Sequence, residues 1–280
     1  MFAVPELQPQ RGPDRHCLLV DQGNSRIKWI GAVWSAMSSH WDLDVTTFGE
    51  GDVEALERVL DSGDMLPPEE VLLSSVASED RAADVELAVA AHSAARVVPL
   101  RSEAETCGIR NGYRDPAQLG VDRWMAVLGA ARHHGLPLVV MDLGSATTLD
   151  AVDGRGRHLG GLILPGPDAM LGALKSGTDL DLSNATVDSR RKCAAGEAQR
   201  ETLRAIEGGI VTAQLGALEQ FVEWFRKRLG NGSGGELKIV VTGGAAGAIL
   251  RQSDYQLTHD PLLLFKGMLL SRFGPGEPQH

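Results

Sequence analysis

One device occurs twice in this chain and restricts the fold more than any other feature. Residues 17–20 form a short apolar run, as a buried central strand does, ending on Asp21 followed by Gln22, Gly23, Asn24, Ser25, Arg26, Ile27 and Lys28. After a second apolar run, 138–141, the chain reads Asp142, Leu143, Gly144, Ser145, Ala146, Thr147, Thr148, Leu149, Asp150. Strand, acid, glycine and hydroxyls recur in the same order. Such a repeat predicts two similar half-domains facing each other across a nucleotide cleft.

The chemistry of the first copy suits a nucleoside triphosphate. Gly23 can take backbone conformations closed to other residues, which lets the surrounding amides approach phosphate oxygens. Asn24 and Ser25 add side-chain donors, and Lys28 adds a positive charge. Asp21 cannot attract a phosphate, but it can hold a hydrated divalent cation, magnesium, against one. Taken alone, the stretch fits a hairpin turn with a capping aspartate equally well. Its recurrence favours the phosphate loop.

The remaining elements follow from periodicity. Strands are expected at 27–34, 43–48, 71–75 and 96–100, and helices at 53–60 and 79–92, which together make a mixed sheet flanked by helices, an α/β fold. Residues 160–167 hold too many glycines and prolines for an element interior, so a close-packed bend is expected there. A long helical pattern over 201–229, weakened by Gly208 and Gly209, is followed by a strand at 237–241, the glycines Gly243 and Gly244, and a last helix at 261–270. The organisation expected is a polar tail at 1–15, half-domains at 16–117 and 118–272, and a short tail at 273–280.

Composition narrows the class. In 280 residues, 43% hydrophobic, there is material for a full core but no apolar stretch of membrane-spanning length, and the N-terminus lacks the blocks of a signal peptide. A cytoplasmic protein with no membrane partner is expected. A formal net charge of -10 opposes nucleic-acid binding, despite a local basic cluster at Arg190, Arg191 and Lys192. Cys17, Cys107 and Cys193 show no paired metal-ligand spacing and predict neither a disulfide framework nor a zinc site.

A third stretch carries chemistry of its own. Val121, Trp124, Met125 and Leu128 define the buried face of a helix beginning near Gly120, which leaves Asp122 and Arg123 in its first turn, off that face. The helix dipole favours an ionised aspartate there, and an arginine can clamp a carboxylate with two hydrogen bonds. Such an acid can orient a hydroxyl and take its proton. On this stretch alone, helix stabilisation and a surface salt bridge explain the pair as well.

Taken together, Asp-x-Gly-Asn-Ser-x-x-Lys (21–28), Gly112-Tyr113, Gly-x-Asp-Arg (120–123), Asp-x-Gly-Ser-Ala-Thr-Thr-x-Asp (142–150) and Gly160, Gly161, Ile163, Pro165, Gly166 resemble the successive motifs of type III pantothenate kinase. The resemblance runs from about 17 to 271. It implies duplicated actin-like (ribonuclease H-like) half-domains of the acetate kinase, sugar kinase, heat-shock protein and actin superfamily. It also implies ATP-dependent phosphorylation of pantothenate to 4'-phosphopantothenate, the first step of coenzyme A synthesis. By the same resemblance, residues Asp21 to Lys28 with Ser145, Thr147, Gly243 and Gly244 handle ATP, with Asp21 near magnesium. Asp122 is the general base, and Tyr113, Gly120, Val121, Asp122, Arg123 and Thr178 bind substrate. Asp142 holds a monovalent cation, K+ or NH4+, and the chain forms a homodimer with 160–167 at its interface.

Departures from the family pattern are few. Ser25 and Ser145 stand where threonines are usual, and Ala245 stands where many members carry an aspartate in the nucleotide-binding turn. Some relatives are called Bvg accessory factors, which leaves a non-catalytic regulatory protein on the same fold as the alternative. The presence of Asp21, Lys28 and Asp122 favours the enzyme.

Overall fold

Continuous apolar runs, buried on both faces, build the centre of the first sheet. The computed structural model describes residues 15–35, 40–182, 196–229 and 235–274. The tail expected at 1–15 lies outside these residues except for Arg15, as do Arg190, Arg191, Lys192, Cys193 and residues 275–280. The chain divides into two units, Met1–Leu100 with Arg272–His280, and Arg101–Ser271.

In the first unit, β1 (Arg15–Gln22), β2 (Ile27–Ser35) and β3 (His40–Gly51) form an antiparallel meander, and β4 (Glu70–Ser75) and β5 (Arg96–Pro99) extend it in parallel, giving the order β3-β2-β1-β4-β5. Helices α1 (Val53–Ser62) and α2 (Glu79–His92) lie between the later strands in sequence, as parallel crossovers require. Leu18, Val20, Ile27, Trp29, Val71 and Leu73 face Leu56, Val85 and Val89 of the helices in one core. Each such large side chain contributes about 1.5–3 kcal/mol by leaving water. Local signals set the limits of α1. The Asp52 carboxylate accepts the Ala55 N–H at 2.9 Å, and Gly63 ends the helix in the left-handed region.

The second unit repeats the arrangement. Strands β8 (Leu138–Leu143), β9 (Ala146–Val152) and β10 (His158–Pro165) are antiparallel, while β11 (Lys238–Thr242) and β12 (Thr258–His259) join β8 in parallel. The order is β10-β9-β8-β11-β12, the same as in the first sheet. Ahead of it come a small hairpin, β6 (Glu105–Thr106) and β7 (Ile109–Arg110), and helix α3 (Val121–His134). Helices α4 (Pro167–Gly177), α5 (Thr202–Leu229), α6 (Ala246–Leu250) and α7 (Leu263–Phe273) complete the chain. Leu215, Leu218, Phe221, Val222 and Phe225 of α5 cover Val139, Met141, Leu149, Ile239 and Val241 of the sheet. The mixed, helix-flanked sheet expected from the repeat is therefore present twice.

One expectation here needs correction. Residues 160–167 are not a bend: 158–165 form β10, paired with β9, with a bulge between His158 and Gly161. The ladder supplies the order that the glycines lack, and a side chain at Gly161 would strike the Leu149 carbonyl. The long helix expected over 201–229 is present as α5, which runs unbroken through Gly208 and Gly209 because burial of its apolar face outweighs their low helix propensity.

Candidate active site

Both acid-glycine stretches are tight turns between the first two antiparallel strands of a sheet. In the first, Asp21 lies opposite Lys28 on β2 and beside Ser74 on β4, whose hydroxyl donates to Asp21 Oδ1 at 3.2 Å. The Gly23 N–H closes the turn on the Arg26 carbonyl at 3.0 Å, leaving Asn24, Ser25 and Arg26 exposed at its tip. Arg26 is engaged on the surface by Glu50 at 3.0 Å. Gln22 and Ile27 belong to the opposite face of the sheet. Ile27 is in the core, and the buried Gln22 amide donates to the Arg81 carbonyl at 2.6 Å and accepts from Ser75 Oγ at 2.9 Å. The turn thus brings Asp21, Lys28 and Ser74 together, and offers only the main chain of Gln22 and Ile27.

The second turn has the same construction. Asp142 lies opposite Thr148 on β9 and beside Thr242 on β11, the position Ser74 holds relative to Asp21. The Gly144 N–H donates to the Ala146 carbonyl at 3.0 Å, and Ser145 is exposed. Gly243 has a positive φ of 92°, and a Cβ there would stand 2.5 Å from Asp142 Oδ1, so glycine is required for the close approach. Gly244 is exposed with open space beside it. Thr147 points into the core, fully buried, and its hydroxyl finds no partner among the described residues. The Ser145 carbonyl accepts from Gly166 N–H at 3.1 Å, and the Pro165 carbonyl next to it accepts from Gln214 Nε2 of α5 at 2.9 Å.

The third stretch differs from its sequence reading. Arg123 is not off the buried face: it is 5% exposed. Its Nε and Nη2 donate to Asp150 Oδ2 and Oδ1 at 2.9 and 2.7 Å, and its Nη1 donates to the Tyr113 hydroxyl at 2.8 Å. His158 Nε2 also meets Asp150 Oδ1, at 2.8 Å. The partner that makes burial of the guanidinium tolerable stands far along the chain, where helical periodicity cannot see it. Asp122 begins α3 beside this cluster, its Oδ1 accepting the Arg123 N–H at 2.7 Å. Burial pushes the Asp122 carboxyl above the usual carboxylate range and the Asp150 charge adds to the rise, while the Arg123 amide and guanidinium pull it down. Gly120 leaves room for that carboxylate, because a Cβ there would stand 2.6 Å from Asp122 Oδ1. Val121 is buried with the core side of the helix. Thr178 stands elsewhere, at the C-terminal end of α4, with its hydroxyl on the Leu174 carbonyl at 2.8 Å.

A family model described as type III pantothenate kinase matches residues 17–224, across both turns and the Asp122 stretch. The chain belongs to the type III pantothenate kinase family. A relative of that name from Burkholderia thailandensis is 34% identical over 267 residues, covering 91% of this chain and 96% of its own. Another, from Azoarcus sp., is 37% identical over 235 residues, covering 82% of this chain and 80% of its own. Among solved structures, a Campylobacter jejuni protein described as a Baf family transcriptional activator has a TM-score of 0.52 at 18% identity, covering 90% of this chain and 94% of its own. The actin-like MreB5 of Spiroplasma citri has a TM-score of 0.50 at 12% identity, covering 92% and 96%. These two likenesses concern the fold alone. It is the actin-like fold that the family resemblance implied.

Residues outside the family motifs also shape these sites. Ser74, Arg81, His158 and Gln214 carried no sequence signal, and Asp150 stood in a motif without an assigned role. Among the described residues no three His, Cys, Asp or Glu side chains gather as a metal centre. A magnesium ion held by one carboxylate, waters and nucleotide phosphates needs no such centre, so Asp21 beside Ser74 fits one. Asp142, an oxygen donor at the edge of an exposed turn, fits a monovalent cation by the chemistry of its carboxylate. No helix among the described residues is long and apolar enough to cross a membrane.

Proposed function

We propose that this chain transfers the γ-phosphoryl group of ATP to the primary hydroxyl of pantothenate, giving 4'-phosphopantothenate and ADP. The observation that carries the reading is Asp122: a half-buried carboxylate with a raised pKa, at the start of a helix, in a Gly-x-Asp-Arg segment that lies within the residues the family model matches. A base of that kind accepts a proton more readily than a surface aspartate.

The hydroxyl oxygen of pantothenate attacks the γ-phosphorus, the bond to the β–γ bridging oxygen breaks, and Asp122 takes the hydroxyl proton. Main-chain amides of Asn24 to Arg26, the Asn24 and Ser25 side chains and Lys28 hold the ATP phosphates, as do Ser145 and the Gly243–Gly244 turn. Thr147 contributes only by shaping its turn, since its hydroxyl faces the core. Asp21 would hold magnesium, which would offset phosphate charge, and Asp142 would hold K+ or NH4+. Tyr113, Gly120 and Arg123 line the acceptor site, with Val121 turned to the core beneath them and Thr178 on a separate element, at the end of α4. Phosphoryl transfer of this type asks the protein mainly for positioning and charge stabilisation. The chain acts as a homodimer, for which light scattering should give twice the mass of one chain.

The test is ADP release coupled to a spectroscopic readout, with ATP, magnesium and pantothenate, with and without potassium. Pantothenate-dependent turnover that rises with potassium supports the reading. Absence of pantothenate-dependent turnover with any nucleoside triphosphate overturns it.

A further inference from the structure

The geometry points to Asp150, braced by His158, as the positioning residue for the acceptor side of the site: the pair fixes the Arg123 guanidinium and the Tyr113 ring beside Asp122 in advance of substrate. This rests on Asp122 acting on pantothenate as proposed above.

Asp150 is 2% exposed in β9, between Leu149 and Ala151 of the core. A buried ion pair is a poor means of stabilising a strand, since apolar residues of similar volume do as well or better. What this pair supplies is direction. Its two oxygens take three N–H groups, from Arg123 Nε, Arg123 Nη2 and His158 Nε2, at 2.7–2.9 Å. Of the five guanidinium N–H groups, these bonds and that to Tyr113 engage three and leave two, one on each terminal nitrogen. Arg123 therefore meets an acceptor molecule as a fixed donor pair whose charge Asp150 already offsets.

His158 closes the ring of contacts. The Gly112 N–H is directed at its Nδ1 from 3.5 Å, which leaves the ring proton on Nε2, facing Asp150. Its imidazole lies nearly parallel to the Tyr113 ring, 17° between planes and 6.0 Å between centroids. Two glycines deny the cluster other arrangements. A Cβ at Gly161 would stand 2.6 Å from Asp150 Oδ1, and one at Gly112 would strike the His158 carbonyl. Neither Asp150 nor His158 needs to touch substrate for its loss to displace the two residues that do.

The experiment compares Asp150→Asn, His158→Ala and His158→Gln with wild type, varying pantothenate and ATP separately and following thermal unfolding. A displacement on the order of 1 Å at the acceptor site costs about 100-fold, so kcat/KM for pantothenate should fall by about that much in Asp150→Asn and His158→Ala. The KM for ATP should stay within about twofold, because the phosphate turns are untouched. His158→Gln keeps an N–H within reach of Asp150 and should restore most of what His158→Ala loses. A fall in which the ATP and pantothenate parameters move together, or His158→Gln no better than His158→Ala, would overturn the role. If Asp150→Asn does not fold, the two His158 variants decide by the same criteria. Wild type without pantothenate-dependent turnover sinks the kinase reading and this inference with it. Active wild type with unaffected variants sinks the inference alone.

Discussion

Gln22 and Arg81 hold each other across two elements of the first unit. Gln22 Nε2 donates to the Arg81 carbonyl at 2.6 Å, and Arg81 Nη1 donates to the Asn24 carbonyl at 2.6 Å, so the start of α2 is tied to the tip of the first glycine turn. Gln22→Ala would leave the half-buried Ser75 hydroxyl and the Arg81 carbonyl without this partner. The expected cost is about 1–3 kcal/mol of stability. A loosened turn should raise the KM for ATP by about tenfold while that for pantothenate holds. Urea unfolding and steady-state kinetics check both, and an unchanged KM for ATP would show that the tie has no bearing on the nucleotide.

Arg26 and Lys28 should behave differently although both sit in the first motif. Arg26 is exposed and paired with Glu50, whereas Lys28 faces Asp21 across the ladder. Exposed ion pairs are worth ~0–1 kcal/mol, so Arg26→Ala should leave stability and kcat/KM for ATP nearly unchanged. Lys28→Met removes a cation from the phosphate side and should lower kcat/KM for ATP by about 100-fold or more. Equal effects from the two variants would contradict this division.

Legibility in the sequence followed the range of the interactions involved. The paired strand–acid–glycine units, α2 over 79–92 and the start of α3 rest on local pattern, and each stands where it was expected. What escaped depends on distant partners. Strand β9 reads as a run of hydroxyls until its ladders with β8 and β10 are known, and β10 reads as a bend until β9 pairs with it. Arg123 reads as a surface residue until Asp150 comes to meet it. Gln22 alternates with Asp21 along β1, so its side chain lies on the helix-covered face, a consequence of strand period that a motif read as one block conceals.

Acid stability should depend on Glu70. Side-chain hydrogen bonds from Arg272, at 3.0 and 2.9 Å, and from Arg96 outweigh burial and hold its carboxyl at about 2, below the 4.5 of a free glutamate. The folded state therefore binds fewer protons than the unfolded chain between these values. Its stabilisation is complete above the unfolded pKa and is lost as pH falls through the folded one. The loss is on the order of 2 kcal/mol after allowing for screening by solvent around the arginines. Urea midpoints at pH 7 and pH 3 should diverge more in wild type than in Glu70→Gln, and parallel pH slopes would exclude the role.

Asp122 should show the opposite dependence, and with it a conflict between stability and activity. Its folded-state pKa is raised from 3.8, chiefly by burial. Between the unfolded and folded values the native state binds more protons, so the contribution of this group to stability is greatest at low pH and falls as pH rises through the folded value. Asp122→Asn retains an oxygen for the Arg123 N–H but carries no charge to desolvate. At pH 7–8 the variant should unfold at a higher temperature than wild type, with the difference shrinking as the pH is lowered. Turnover should fall by roughly 100- to 10,000-fold, as expected for loss of a positioned base. In wild type the acidic limb of the pH–rate profile should lie above the ordinary carboxylate range, since only the ionised form accepts the proton. A variant that is both less stable at neutral pH and still active would remove Asp122 from the mechanism. One that is more stable and inactive would show that the site holds its base at a cost to the fold.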